Sequence, residues 1–373
     1  MTPLQYDRDR VAQAQYLRQR WYNGETVERA PFVFSVTPET PVPPVNYRKM
    51  LSDPAAAVET LLHAMQYQFD AFPDCDYLPS MNLHYFGEGI LASLYGAEQY
   101  IVDDNPPFTK GRVFKDIYDA QRITNDFTVE DTEWGRRLRE HVLRFVDATG
   151  GEIPVEVADY QSPYGTATKL IPNEELMLAM YDAPDLVHIF LSAVTDGIEK
   201  LIRAMERWVG ADLLALNRKC PIPGKAGIIV WEDYVSVLNP ALHTEFCAPY
   251  INRLFSVYGK GHLHTCGPYF PSYIDACLAC QPRSIDVSTF MRGQTKTRDD
   301  LLAFLDITKR ERLKLFGLLR VSDQPVFDGG SAFADDDLLS RFVLGGWMPS
   351  HGGRFEEGMA FKKKIEEIGR IAV

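Results

Sequence analysis

Cysteine is scarce in this chain. Six residues among 373 (Cys75, Cys220, Cys247, Cys266, Cys277 and Cys280) are too few for a disulfide scaffold at this length, so free thiols or metal ligands are expected. Basic residues are also in deficit: 39 Lys plus Arg face 51 Asp plus Glu, a net charge of -12. That balance disfavours non-specific binding to nucleic acid or to an anionic membrane, and any anionic substrate would need a local basic group. No stretch approaches the roughly 18 apolar residues of a membrane helix. The opening MTPLQYDRDR has no apolar run of signal-peptide type, so a cytoplasmic protein is expected. The chain lacks a repeat of solenoid period, a low-complexity tract, a Gly-x-Gly-x-x-Gly turn after a strand and a Walker-type loop. Those absences argue against repeat folds, dinucleotide folds and phosphate-binding loops.

What remains is a chain that is 46% hydrophobic and long enough for one large α/β domain or two ordinary ones. From about residue 150 onward, short apolar runs alternate with helical patterns, as repeated βα units do. Strands are expected at 153–158, 213–216, 227–231, 261–266, 284–287, 315–319 and 342–345. The clearest helix covers 184–209, where Leu186, Ile189, Phe190, Ala193, Val194, Leu201, Ile202, Met205 and Trp208 recur at three- and four-residue steps behind Pro184. Earlier in the chain, strands are expected at 31–37 and 80–85 and a helix near 53–70, with residues 1–30 as an N-terminal helical extension. Eight or nine strands in this order predict a single (β/α)8 TIM barrel over residues 1–373 with N-terminal elaboration, and a doubly wound sheet is the competitor.

Residues 261–269 read GHLHTCGPY. On a strand, the period of two sets His262, His264 and Cys266 on one face and Leu263 and Thr265 on the other. Gly267-Pro268 would end that strand, placing His264 and Cys266 at the C-terminal rim where barrel active sites lie. An imidazole and a thiolate there suit Zn²⁺. The alternative is a hydrogen-bonded rim histidine beside a buried cysteine. His351, after the last apolar strand, is the candidate third ligand. Cys277 and Cys280 instead read as core cysteines, since a helix starting near Tyr269 would carry Cys280 about 16 Å down its length at 1.5 Å per residue.

Other residues stand at expected strand ends. Asp159 would bond substrate or cap a helix, with Gln161 beside it. Trp231, Glu232 and Asp233 follow another strand, where only one of the two acids can face the pocket as ligand, acid or base. His84 and Tyr85 would line the pocket, although aromatics there more often belong to a core. Asp286 and Arg320 are rim candidates by position.

Several segments occur together in a familiar order: DYQSPYGTA from Asp159, DAPDLV from Asp182, Glu232-Asp233 ahead of LNPA from Leu238, FCAPY from Phe246 to Tyr250, and HTCG from His264 to Gly267. Over about residues 80–290 the chain resembles the uroporphyrinogen decarboxylase superfamily, which includes zinc-dependent methylcobamide:coenzyme M methyltransferases. The resemblance implies a (β/α)8 barrel with its site at the C-terminal face. The decarboxylases carry an arginine-rich segment after the first strand to clamp a substrate with many carboxylates, whereas residues 31–48 here hold one basic residue, Arg48. The methyltransferase branch pairs His-x-Cys with a distal cysteine. This chain keeps His264 and Cys266, and His351 would substitute because no cysteine follows Cys280.

The leading expectation is a zinc-dependent methyltransferase moving a methyl group between a corrinoid (or related donor), brought by a separate carrier protein, and a small-molecule thiol. A decarboxylase or lyase acting on a carboxylated substrate is the alternative, with Asp159 or Glu232 stabilising charge. A non-catalytic barrel binding a tetrapyrrole or corrinoid is a third.

Overall fold

The computed structural model describes residues 3–36, 46–102, 105–265, 271–286, 306–316, 342–348 and 363. Within them, short apolar runs bounded by Gly, Pro or charged residues form strands, and the longer amphipathic runs form helices. The strands are β1 (Phe32–Val36), β2 (Glu98–Tyr100), β3 (Phe108–Lys110), β4 (Val155–Glu156), β5 (Leu214–Ala215), β6 (Ile229–Trp231), β7 (His262–His264), β8 (Ser284–Asp286), β9 (Lys314–Phe316) and β10 (Phe342–Met348). The helices are α1 (Arg8–Tyr22), α2 (Tyr47–Ser52), α3 (Pro54–Ala71), α4 (Ile90–Leu94), α5 (Glu133–Thr149), α6 (Pro163–Leu170), α7 (Asn173–Asp182), α8 (Pro184–Val209), α9 (Pro240–Phe246), α10 (Ala248–Tyr258) and α11 (Pro271–Ala279).

A six-stranded parallel sheet runs in the order β1-β10-β9-β8-β7-β6. The parallel pair β4-β5 continues it: Ile229 N donates to Leu216 O at 2.8 Å, and Glu156 N to Met81 O at 3.0 Å. Beyond Met81 the chain meets β1 through Asp76, whose amide donates to Phe32 O and whose carboxylate accepts from Phe32 N. This parallel order agrees with the βα reading, and the described residues contain no ladder that closes the sheet into a ring. Two differences from expectation have physical causes. Residues 80–85 contribute a single bridge at Met81, because the chain turns into a 3₁₀ segment at His84–Phe86. No helix separates β5 from β6, because the loop between them is pinned by Asn217 Nδ2 donating to Ala226 O and by Cys220, Ile222 and Ala226 packing on α1. The antiparallel pair β2-β3 had no expected counterpart.

Helix α8 shows why the pattern folds as it does. Pro184 presets the first turn, Val187, Phe190, Leu191, Val194, Ile198, Leu201, Ile202 and Met205 bury one face, and Gly210 (φ +85°) ends it. Each such side chain contributes roughly 1.5–3 kcal/mol on burial. Asn239 opens α9 by accepting from Ala241 N, ahead of Pro240. At the start of β6 and β7 the backbones nearly touch. A Cβ on Gly261 would lie 1.8 Å from Ile228 O, and one on Gly227 (φ +61°) 2.4 Å from Lys260 O.

The main core fills the space between sheet and helices. A second, smaller core joins α1 to the strands: Trp21 meets Phe316 edge-to-face at 5.5 Å, with Tyr22, Cys220, Ile222 and Ala226 around them. Helix α1 thereby seats Tyr22 against Ser284, the first residue of β8. No helix among the described residues is long and apolar enough to cross a membrane.

Candidate functional site

Neighbouring parallel strands in register send paired side chains to the same face. β7 and β8 therefore place His262, His264, Ser284 and Asp286 together, while Leu263 and Thr265 are buried on the opposite side. Asp286 is the hub. Its Oδ1 accepts from Lys219 Nζ at 2.6 Å, its Oδ2 bonds His262 Nε2 at 3.0 Å, and Oδ2 also bonds His264 Nδ1. Burial opposes ionisation of Asp286, but Lys219, His262 and His264 outweigh it and hold the carboxyl well below its ordinary range.

Protons around this hub can be ordered by elimination. Burial pushes His262 down to about 4 against the pull of Asp286, so the ring is neutral near pH 7. An ionised Asp286 only accepts, so Nε2–H of His262 donates to it, and Nδ1, 3.0 Å from Ser284 Oγ, must accept that hydroxyl's proton. Ser284 Oγ then accepts from the Tyr22 hydroxyl at 3.2 Å, and the Tyr22 oxygen accepts from Asn217 Nδ2 at 3.1 Å. The relay Asn217, Tyr22, Ser284, His262 runs in one direction and ends on Asp286. His262 has both nitrogens committed, so it supports the site and is not a ligand. For His264, with Nδ1 donating to Asp286, the nitrogen that would coordinate a metal is Nε2.

Beside this group, Trp231 pairs in register with His264 and is buried, edge-on to Tyr160 at 5.1 Å. The Arg218 guanidinium lies over its ring, 5.3 Å from the centroid, and donates no hydrogen bond to any described residue. His84 lies nearby at the surface, and partial desolvation of its ring by the surrounding chain, then the Arg218 charge, lower it, while Asp159 raises it. Asp159 Oδ1 accepts from the Gln161 backbone and side chain, each at 3.3 Å, holding Gln161 at φ +60°. Ser162, not Asp159, caps α6. Glu156 is raised to about 7 by burial, against the opposing Ser80 hydrogen bond and Arg218 charge.

Glu232 occupies the other face. The strand alternation that turns Trp231 toward His264 turns Glu232 toward the helices, so the reading of Glu232 as a pocket acid is corrected. It is fully buried, accepts from Tyr234 N at 3.0 Å and stands 3.9 Å from His243 Nε2. Burial raises Glu232 to about 8, lowers His243 to about 4 and raises the Cys247 thiol. Asp233 opens the 3₁₀ turn Asp233–Ser236 and is half-buried. Tyr85 also points away from the His264 group, into the helix layer, where its hydroxyl meets His141 Nδ1 of α5 at 3.0 Å. Cys277 and Cys280 are buried on α11 as core cysteines. Cys266, Arg320 and His351 lie outside the described residues.

Two groups of side chains have donor atoms close enough to hold a metal ion, all within 4.8 Å of one another: His262, His264 and Asp286, and Glu232, His243 and Cys247. Sequence reasoning missed Lys219 and Arg218, which sit in Asn-Arg-Lys-Cys directly after β5. A basic pair at a strand end was the available signal. It also missed His243 and Cys247, whose spacing of four on a Pro-started helix was readable.

A parallel α/β fold with polar residues gathered at its strand ends defines the class of molecule. No family model matches the sequence, and no curated protein does. Among solved structures the chain is similar to a methyltransferase from Methanosarcina mazei, with TM-score 0.61, 14% identity, and coverage of 95% of this chain and 97% of that one. At that identity the likeness concerns the fold.

Proposed function

We propose that this chain is a methyltransferase that moves a methyl group between a corrinoid, or a related donor on a separate carrier protein, and a small-molecule thiol. Residues 1–373 are then one uroporphyrinogen decarboxylase-like barrel domain. The observation that carries the reading is His264 at a strand end with Nδ1 fixed by an ionised, Lys219-paired Asp286. Such carboxylate-anchored imidazoles are typical of zinc ligands. The donor chemistry of this described part fits Zn²⁺, with His264 as ligand beside Cys266 and His351 from the sequence pattern. When bound, the ion would supply Lewis acidity that keeps an acceptor thiol in its thiolate form.

The chain's own residues do the rest. Asp286 fixes the ring of His264, and Lys219 keeps Asp286 ionised as it does so. Trp231 walls the site and excludes water, and Arg218 offers a guanidinium to an anionic group on the acceptor. The test is thiol methylation by the full chain with a methylated corrinoid donor. His264→Ala lowers turnover at least a hundredfold and lowers bound zinc by one equivalent. Unchanged turnover in that variant overturns the reading.

A decarboxylase or lyase is the second reading, favoured by one observation. Arg218 could hold a carboxylate near Glu156, which at about 7 is able to deliver a proton to a carbanion. Carbon dioxide release from a carboxylated substrate, indifferent to chelators and lost in Glu156→Gln, would favour it over methyl transfer.

A further inference from the structure

We propose that Glu232, His243 and Cys247 form a second, buried metal site for Zn²⁺, on the helix side of β6 and separate from His264. Glu232 leaves the C-terminal end of β6, with Oε1 held by the Tyr234 amide. His243 and Cys247 are four residues apart on α9 and its C-terminal cap, so they share one face of the helix. Their three donor atoms lie within 4.8 Å of one another, and Glu232 Oε1 is 3.9 Å from His243 Nε2. Ligands at zinc's usual bond lengths stand about 3.3–3.5 Å apart around a tetrahedron for this donor set, so the group needs to contract by about 1.3 Å at most.

The second observation is what these residues lack. Both ring nitrogens of His243 are buried without a hydrogen-bond partner, and His243, Glu232 and Cys247 are 0%, 0% and 1% exposed. Buried polar atoms are ordinarily satisfied, and each one left unmet costs about 1–3 kcal/mol. An ion between them removes the deficit on His243 Nε2 and brings Glu232 into its coordination. The donor set, a carboxylate, an imidazole and a thiolate, is the mixture zinc accepts. Helix α11 packs on α9 and covers the group, with Cys277 and Cys280 fully buried on it as core thiols. With every ligand buried, the site is out of reach of a substrate. Its work is structural, tying α9 to the end of the strand that carries Trp231.

The experiment uses the full-length His264→Ala, Cys266→Ser variant, so that zinc at the proposed catalytic group cannot be counted. After refolding in excess Zn²⁺ and gel filtration, about one equivalent is expected to remain by metal analysis, with a rise in Tm over the chelator-treated protein. Replacement by Co²⁺ should give a thiolate-to-cobalt charge-transfer band that disappears in Cys247→Ser and persists in Cys75→Ser. It should likewise persist in Cys277→Ser and Cys280→Ser. Less than about 0.2 equivalents of zinc in the folded variant, or a band that survives Cys247→Ser, overturns the site. His243→Ala is a further check, and Cys247→Ser keeps the test decisive if that variant fails to fold.

Discussion

Two groups of ionisable side chains sit on opposite faces of the same strand ends, built from nearly the same residue types. On one face, Asp286, His262, His264 and Lys219 are joined by hydrogen bonds, each donor running toward a single ionised carboxylate. On the other, Glu232, His243 and Cys247 are packed as closely, yet His243 makes no hydrogen bond at either nitrogen. The first group is complete from protein atoms alone and presents one imidazole outward. The second lacks an atom at its centre. Proximity of metal-binding residue types therefore has two meanings, and hydrogen-bond saturation separates them.

The comparison breaks most sharply at Asp286. Asp286→Ala strands an ammonium and two imidazoles that the carboxylate now holds, and removing one partner of a buried ion pair costs about 3–5 kcal/mol. Urea unfolding at pH 7 measures the loss. No substitution in the Glu232 group of the metal-free protein should approach it.

Arg218 comes next. A hydrogen bond to a charged group contributes about 1.5–3 kcal/mol, so Arg218→Met should raise KM for an anionic acceptor about 10- to 150-fold while leaving kcat within about threefold. Steady-state kinetics with the acceptor and with an analogue lacking the anionic group decides the point, since the analogue should not discriminate between the two proteins.

The two faces were not equally legible in the sequence. His264 and Asp286 could be placed because period-two alternation on short parallel strands leaves little freedom. The long amphipathic run of α8 and the Pro-Gly punctuation around it fixed that helix at its observed ends. Lys219 and Arg218 were hidden because β5 is only two residues long and the position of the following loop is set by packing of Cys220, Ile222 and Ala226 on α1 rather than by local pattern. The sequence left open which of Glu232 and Asp233 faces the pocket for a related reason: adjacent acids alternate, and nothing local says which one faces inward. His243 and Cys247 become partners of Glu232 only once α9 packs against the strand end.

Acid–base behaviour should distinguish the faces by sign. Asp286 is depressed below its ordinary value, so its contribution is present above the usual carboxylate range and is lost as pH falls through its lower folded value. Glu232 is raised from 4.5 to about 8, so the folded chain keeps a proton that the unfolded chain releases, and stability declines as pH rises through that interval. His243, lowered from 6.5 to about 4, opposes this decline up to pH 6.5. Between pH 6.5 and 8 the Glu232 term stands alone within its group. In chelator-stripped protein, Glu232→Gln should flatten the decline there by up to about 1.4 kcal/mol per pH unit. An unchanged slope would mean that Glu232 is ionised in the folded chain.

The smallest effect is the most discriminating. In the metal-free protein, His243 loses no hydrogen bond when replaced, because it makes none. Exchanging a buried polar side chain for an apolar one of similar volume is then nearly neutral, so His243→Leu should change stability by less than about 1 kcal/mol and could raise it. The same substitution in zinc-loaded protein should abolish the metal-dependent part of the stability, which grows with free zinc as mass action requires. Paired urea titrations with chelator and with zinc measure both terms on one variant. A loss of several kcal/mol without metal would show that His243 is held by protein contacts, and the contrast between the two faces would disappear.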